Sequence, residues 1–529
     1  MSRIAAFALA SSVLALVQPA AAARGGDELI VGVTYELKSL NPLYISGADR
    51  LLLGPLVYSR LLSATPEGDL TPEVATEVPT QENGGISQDG LTITYHLRRD
   101  VRWADGQSLT ARDVIFTHEA DMNPKSTVIE TYGDKEIAAI SAPDAYTVRV
   151  RLKRRFSPFV SYFDRPILPA HLLDKLESLD KADYNGNPVG SGPYRVAEWA
   201  RGDHVTFVRS ETFWGRKPAI SKIVERTIPD ATTLAIQLKS GDIDIAENID
   251  PHGAELLAGR PDLEIFRTFY RFGLIIFNAS DPRLSDVRVR RAITLAFDRK
   301  NAVRKATDGF DETANPARAL FGWAYDPSIK PLPYDPAAAR KLLDAAGWKP
   351  GPDGVRVRGG QRLQLTLITQ AGHPSLTTEM TQMLQQEKAV GVALDIKAYV
   401  DQQFLLLTPD GPLWGGHFDI TLTRFVGGGD PDPDWLMGCD AAGKTNTYNF
   451  THMCIPGIAP VLTDGVSTYD RARRTRDYRI VQRSLNEWLP LVVLSQSPTL
   501  SAGPKRLRGY HPSKYGGPFW NVTSWRFSS

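Results

Sequence analysis

The chain has 529 residues, 42% hydrophobic and 23% charged, an ordinary globular composition and a length that calls for more than one domain. Its 61 basic and 60 acidic residues leave a formal net charge of +1. A balance that even gives no long-range field to attract nucleic acid or an anionic membrane surface, so neither is expected as a partner.

Residues 1–23 read as a cleavable export signal. Arg3 supplies the positive end, Ile4 to Val17 an apolar run, Pro19 a stop and Ala20 to Ala23 the small residues of a cleavage site. The run is shorter than the roughly 20 residues that span a membrane. No cysteine follows it to take a lipid. The mature protein is therefore expected in the periplasm, starting near Arg24, without a lipid anchor.

A strand is predicted at Leu29 to Val33, a turn at Asn41-Pro42 and a helix over Leu51 to Leu62. Next comes "LTITYHLRRDVRWADGQSLTARDVIFT", in which Leu91, Ile93, Tyr95 and Leu97 alternate with polar residues as in a half-buried strand. An Asp-Gly turn follows, and a helix begins at Thr110 with Asp113 as a variant capping box. Arg98, Arg99 and Arg102 leave on the wet side, and Trp103 packs under the turn. No nucleophile sits beside a base, so this charged stretch reads as a strand–turn–helix joint.

Further strands are predicted at Asp144 to Arg154, Tyr194 to Trp199 and His204 to Arg209. A strand, a helix and a short strand follow, ending near Ile249. "LIIFNAS" is an apolar strand, and "VRVRRAITLAFDRKNAV" (Val287 to Val303) is one amphipathic helix. "YDPAAARKLLDAAGW" is a helix capped by Asp335 with Pro336 in its first turn. The strand–helix–strand run from Leu363 to Val400 implies an α/β sheet covered by helices. A basic helix over Tyr469 to Trp488 then leads into the strand "LPLVVLS".

Catalytic and metal signals do not assemble. "GSGPY" (Gly190 to Tyr194) lacks the lysine of a phosphate loop. Asp430 to Asp434 spaces carboxylates like a calcium loop, but Trp435 stands where its glycine belongs and Ala441 where its glutamate belongs. There is no H-E-x-x-H and no G-x-S-x-G. No enzyme activity, metal or cofactor is expected. Cys439 and Cys454, an even count in an exported chain, are expected to form a disulfide. "TRFVGGGDPDPDW" (Thr423 to Trp435) gathers a cation, aromatics, glycines and carboxylates in a late loop, a suitable binding element.

Six stretches in order resemble the landmarks of family 5 extracellular solute-binding proteins of bacterial ABC importers, the peptide, dipeptide, nickel and opine binders. They are the strand–turn–helix joint, "GSGPYRV", "LKSGDIDI", "IIFNAS", "VRRAITLAFDR" and "AARKLLDAAGW". The resemblance covers nearly the whole mature chain. It implies an α/β, two-lobed periplasmic-binding-protein fold, type II-like, with an extra subdomain in the first lobe. The first lobe would hold residues 24–50, 190–271 and 497–529, the extra subdomain 51–189 and the second lobe 272–496. "TFYRFGLIIFN" and "LVVLSQSPTL" would be the two crossing segments.

The implied function is capture of a short peptide or peptide-like solute by lobe closure, for delivery to ABC permease subunits by a monomeric binding protein. Nickel-chelate, opine or sugar-phosphate binding is the alternative within the fold. From a different functional class, the alternative is a secreted hydrolase or ligand-gated sensor using this same fold, and a hydrolase would need a nucleophile–base pair at the cleft. In the late loop, Asp430 matches the relatives' amine-binding aspartate across a gap, and Phe425 takes their aromatic position. Arg424, Asp432 and Trp435 complete the loop's candidates. Tyr35 and Tyr132 are candidate pocket aromatics from the first part of the chain.

Overall fold

The computed structural model describes residues 27–528 except 46, 127–132, 164, 312, 314–317, 407, 428–429 and 445–447. The expected export signal lies outside the described residues.

One mixed sheet organises the chain. Its strands in chain order are β1 (Glu28–Val33), β2 (Tyr194–Ala200), β3 (His204–Arg209), β4 (Lys222–Thr227), β5 (Ile245–Ile249), β6 (Leu263–Phe277), β7 (Gln364–Gln370), β8 (Ala393–Tyr399), β9 (Ile420–Val426) and β10 (Leu491–Pro504). Across the sheet the order is β8-β7-β9-β6-β10-β5-β1-β4-β3-β2. β1 runs parallel to both β4 and β5, and β7 parallel to β8 and β9. Parallel strands need cover on both faces, and Leu29, Val31 and Val33 are all wholly buried.

The two central strands serve both halves. β6 and β10 pair antiparallel over most of their length. The C-terminal half of β6 also pairs with β9, and the C-terminal half of β10 pairs with β5. Register shifts between Phe269 and Arg271 and between Gly273 and Leu274 bracket the middle, where Arg271 faces Ser497 and Phe272 faces Gln496. On one side of this crossing Leu53, Phe207 and Trp525 pack around β1. On the other, Ile293, Leu343, Trp348 and Leu367 form one core, and Phe272, Phe321, Phe418 and Tyr478 another. A separate core holds Ile93, Tyr95, Trp103, Phe156 and Phe159. It lies on the small antiparallel sheet of Thr92–His96, Thr147–Leu152 and Ile137–Asp144.

Several elements differ from the sequence reading. Val287 to Val303 is two helices, Val287–Ala296 and Arg299–Ala306, because Phe297 is extended (ψ 114°) and the Asp298 side chain accepts from the Asn301 N–H at 3.1 Å to start the second. Asp144 ends one strand of a hairpin, and the next begins only at Thr147. The first helix stops at Val57, and Leu62 enters a short strand facing Pro72.

The strand–turn–helix joint satisfies its charges. Arg98 pairs with Asp100 at 2.8 Å and lies over Trp214. Arg99 lies over Tyr146, and Arg112 pairs with Glu119 at 2.7 Å. Trp103 is wholly buried. Asp113 does more than cap its helix (Ala111–Asp121). One oxygen accepts from the Thr110 N–H at 2.7 Å and the other from the Ala170 N–H at 2.9 Å. Asp113→Ala therefore orphans a second backbone donor and should cost about 2 kcal/mol, against about 1 for a cap alone. Urea denaturation measures this; a loss no larger than a cap's would show that the Ala170 bond adds nothing.

Candidate functional site

The late segment starts as a strand rather than a loop. β9 carries Thr421 and Thr423 into the interior and leaves Arg424 and Phe425 half-buried. Arg424 is already engaged. Its guanidinium meets Glu379 of the helix Pro374–Lys388 at 2.9 and 3.3 Å, the Ser497 hydroxyl at 3.4 Å and Asp311 at 3.9 Å. The Ser497 hydroxyl donates to Asp311. Burial pushes the Glu379 and Asp311 carboxyls up, and Arg424 opposes that rise. Two carboxyls and one guanidinium thus sit where β10 crosses between the halves.

Beyond Arg424 an aromatic wall takes over. Phe425 stacks on Phe450 at 6.0 Å and meets Trp435 at 5.9 Å. Tyr448 stands edge-on to Trp435 at 5.6 Å and to Trp414 at 4.7 Å. The Cys439–Cys454 disulfide is formed, with Cα atoms 4.7 Å apart. It closes the segment that carries Tyr448 and Phe450. Asn449 fixes this segment from within, donating to the Gly438 and Met453 carbonyls at 2.9 and 3.1 Å. Sequence reading singled out Phe425 and Trp435 but missed Trp414, Tyr448 and Phe450. The "YNF" between the two cysteines was the available signal.

Asp430 takes a bidentate pair from Arg474, at 2.8 and 2.6 Å. Arg474 also donates to the Pro431 and Gly465 carbonyls and lies over Trp323. Burial works against its charge, yet Asp430 more than offsets this and raises its pKa. Asp432 is buried beneath, accepting from the Asp434 N–H at 3.0 Å. Burial, with the Asp434 and Asp430 carboxylates adding, pushes the Asp432 carboxyl up to about 7.

Asp430 and Arg474 line a cleft of about 680 Å³. One wall comes from Val78 to Ile86 and Ser157 to Ser161, the other from Trp323 and Tyr469 to Arg474. Three contacts tie the walls together. The Ser157 N–H donates to the Val466 carbonyl at 2.6 Å, the Tyr469 hydroxyl to the Gly90 carbonyl at 3.1 Å, and Arg471 pairs with Asp69 at 3.4 Å. The lining carries both signs of charge: Asp69, Glu82, Asp430 and Asp470 against Arg471 and Arg474. Of the expected site residues only Asp430 lines this cleft. Arg424 sits at the β10 crossing, Phe425 and Trp435 in the aromatic wall, and Asp432 next to Asp430. Tyr35 is half-buried against the core around β1, and Tyr132 lies outside the described residues. The start of the basic helix, "YDRARRTRDY", was the overlooked signal for Tyr469, Arg471 and Arg474.

Two halves joined by two shared strands, with a charged cleft on their surface, define the type II-like class of periplasmic binding proteins. A crystal structure of NikZ from Campylobacter jejuni in complex with Ni(L-His) superposes with a TM-score of 0.78 at 25% identity, over 95% of this chain and 100% of that one. The chain belongs to the bacterial extracellular solute-binding proteins, family 5, whose middle region matches residues 69–447. Protein XP55 of Streptomyces lividans is 30% identical over 468 residues, 87% of this chain and 81% of that protein. Di/tripeptide-binding protein 1 of Pseudomonas aeruginosa (strain UCBPP-PA14) is 26% identical over 505 residues, 89% of each chain. The role of the chain is that of the substrate-binding component of an ABC importer. No helix among the described residues is long and apolar enough to cross a membrane.

Proposed function

We propose that the protein captures a short peptide or peptide-like solute in the periplasm and delivers it to the permease subunits of its importer. It acts as an unanchored monomer released from its export signal, and it binds without turning its ligand over. The lobes of this reading are residues 24–50, 190–271 and 497–529 against 272–496, with 51–189 as the extra subdomain. The paired bulges around Arg271 and Ser497 support a hinge there, since irregular strand positions absorb small dihedral changes as lobes close.

The observation that carries the ligand class is the mixed charge of the cleft, with Asp430 held against Arg474. A carboxylate offers about four lone-pair sites, and Arg474 takes one on each oxygen. Asp430 can thus still accept a ligand ammonium while Arg471 and Arg474 meet a carboxylate, as a zwitterionic peptide requires. The relative from Pseudomonas aeruginosa named for di- and tripeptides supports this. The NikZ complex favours a second reading, an amino-acid chelate of nickel, which presents similar charges.

Native mass spectrometry of protein released from the periplasm should find a peptide mass, and a retained nickel complex would replace the first reading with the second. Calorimetry then tests the amine contact. N-acetylation of the retained peptide should weaken binding roughly 30-fold or more; equal affinity would remove Asp430 from that role.

A further inference from the structure

A second cavity, of about 90 Å³, lies within the half built on β7 to β10 and shares no lining residue with the cleft. Its wall is mainly apolar, with Phe321, Leu485, Leu491 and Val493 among the lining residues. Two cations, Arg299 and Lys330, line it as well, and no carboxylate does.

Two of the other polar lining groups are spent inside the protein. Gln482 donates to the Ala324 carbonyl at 2.9 Å and accepts from the Asp326 N–H at 2.9 Å. The Thr294 hydroxyl donates to the Arg290 carbonyl at 2.8 Å. The two cations are different. Arg299 donates only to the Leu332 carbonyl, and Lys330 to the Pro327 carbonyl at 3.2 Å. Neither has an ion pair among the described residues; Lys330 is exposed at the rim, and Arg299 is half-buried.

Other arginines of this chain mark the contrast. Arg474 has Asp430, Arg424 has Glu379, and Arg290 spreads its donors over four carbonyls. Arg299 has neither solution, and burial lowers its pKa to about 10. Arg299 is half-buried beside this apolar wall, and a partly desolvated cation without a counter-charge is costly. An amine would be repelled by two cations. A neutral alcohol would leave the guanidinium unpaired. A small acid with an apolar tail satisfies both parts of the cavity, because a carboxylate fits the guanidinium fork.

We propose that this cavity is a second binding site, for a small aliphatic carboxylate whose tail packs on Phe321, Leu485, Leu491 and Val493 and whose head group pairs with Arg299 and Lys330. The site is independent of the peptide-binding reading, and the probes differ.

Isothermal calorimetry of the full mature protein with hexanoate, hexan-1-ol and hexylamine decides the matter. Hexanoate should bind with a stoichiometry of one, and the alcohol and amine at least about tenfold more weakly. Arg299→Leu should weaken hexanoate about tenfold or more, and Arg299→Lys should recover part of that. Val493→Phe, which fills the cavity and keeps both cations, should abolish binding; thermal melts of each variant without probe check that it is folded. The proposal falls if wild type shows no saturable hexanoate binding, if the alcohol binds as well as the acid, or if a folded Arg299→Leu or Val493→Phe variant binds hexanoate like wild type.

Discussion

Asp430→Ala is expected to lower the unfolding free energy of the ligand-free protein by about 3 kcal/mol. As an acidic residue among glycines, Asp430 reads in the sequence as a free loop carboxylate whose loss would spare the fold. The structure changes that expectation. Asp430 is the counter-charge of Arg474, whose side chain is only 6% exposed. Its removal leaves a desolvated guanidinium, and breaking one side of such a pair costs more than the pair contributes against an apolar replacement. The carbonyls of Pro431 and Gly465 still receive Arg474, which holds the loss toward the lower end of the usual range. Asp430→Ala with Arg474→Met should recover much of it, because the stranded charge is gone. Urea denaturation of the three variants gives the coupling directly. If the single alanine variant unfolds at the wild-type midpoint, the pair is solvated and the cleft floor is not preformed.

This case shows which parts of the site were legible beforehand. Local devices were. Asp335 and Asp470 cap the helices that their positions announce, accepting from Ala338 and from Ala472 and Arg473. Arg98 finds its partner two residues away. Period-two and helical patterns located β1, β7 and β8, where burial repeats along the element. Partners far along the chain were not legible. Arg474 lies 44 residues from Asp430, Glu379 lies 45 from Arg424, and Ser497 lies 73 from Arg424. No periodicity encodes which cation a sheet brings to which carboxylate. The start of β6, before the expected crossing segment from Thr268, was missed for a related reason. "EIFRTFYR" mixes arginines with aromatics because a strand crossing between two halves leaves one core before it enters the next. The break at Asp298 was hidden because "RRAITLAFDRKNAV" keeps a helical apolar spacing through Phe297.

Arg424→Met should cost about 3–5 kcal/mol at pH 7.5 and distinctly less at pH 5. Arg424 is the cation facing two buried carboxyls, Glu379 and Asp311, at the crossing of β10. Both carboxyls already stand above their ordinary values of 4.5 and 3.8 because of burial, with Arg424 the main charge holding them down. A group whose folded pKa is raised contributes stability that is present below its unfolded pKa and lost as pH rises through the folded one. Without Arg424 both folded values move further up, so the penalty of ionising two buried carboxyls falls most heavily at neutral pH. Lowering the pH protonates them in the folded state and removes that penalty. Urea midpoints for wild type and variant at the two pH values should therefore converge toward pH 5. Glu379→Gln in the Arg424→Met background should restore stability at pH 7.5, since it removes the more deeply buried of the two charges. An equal loss at both pH values would mean that packing of the arginine stem, and not charge, holds β9 to the crossing strand.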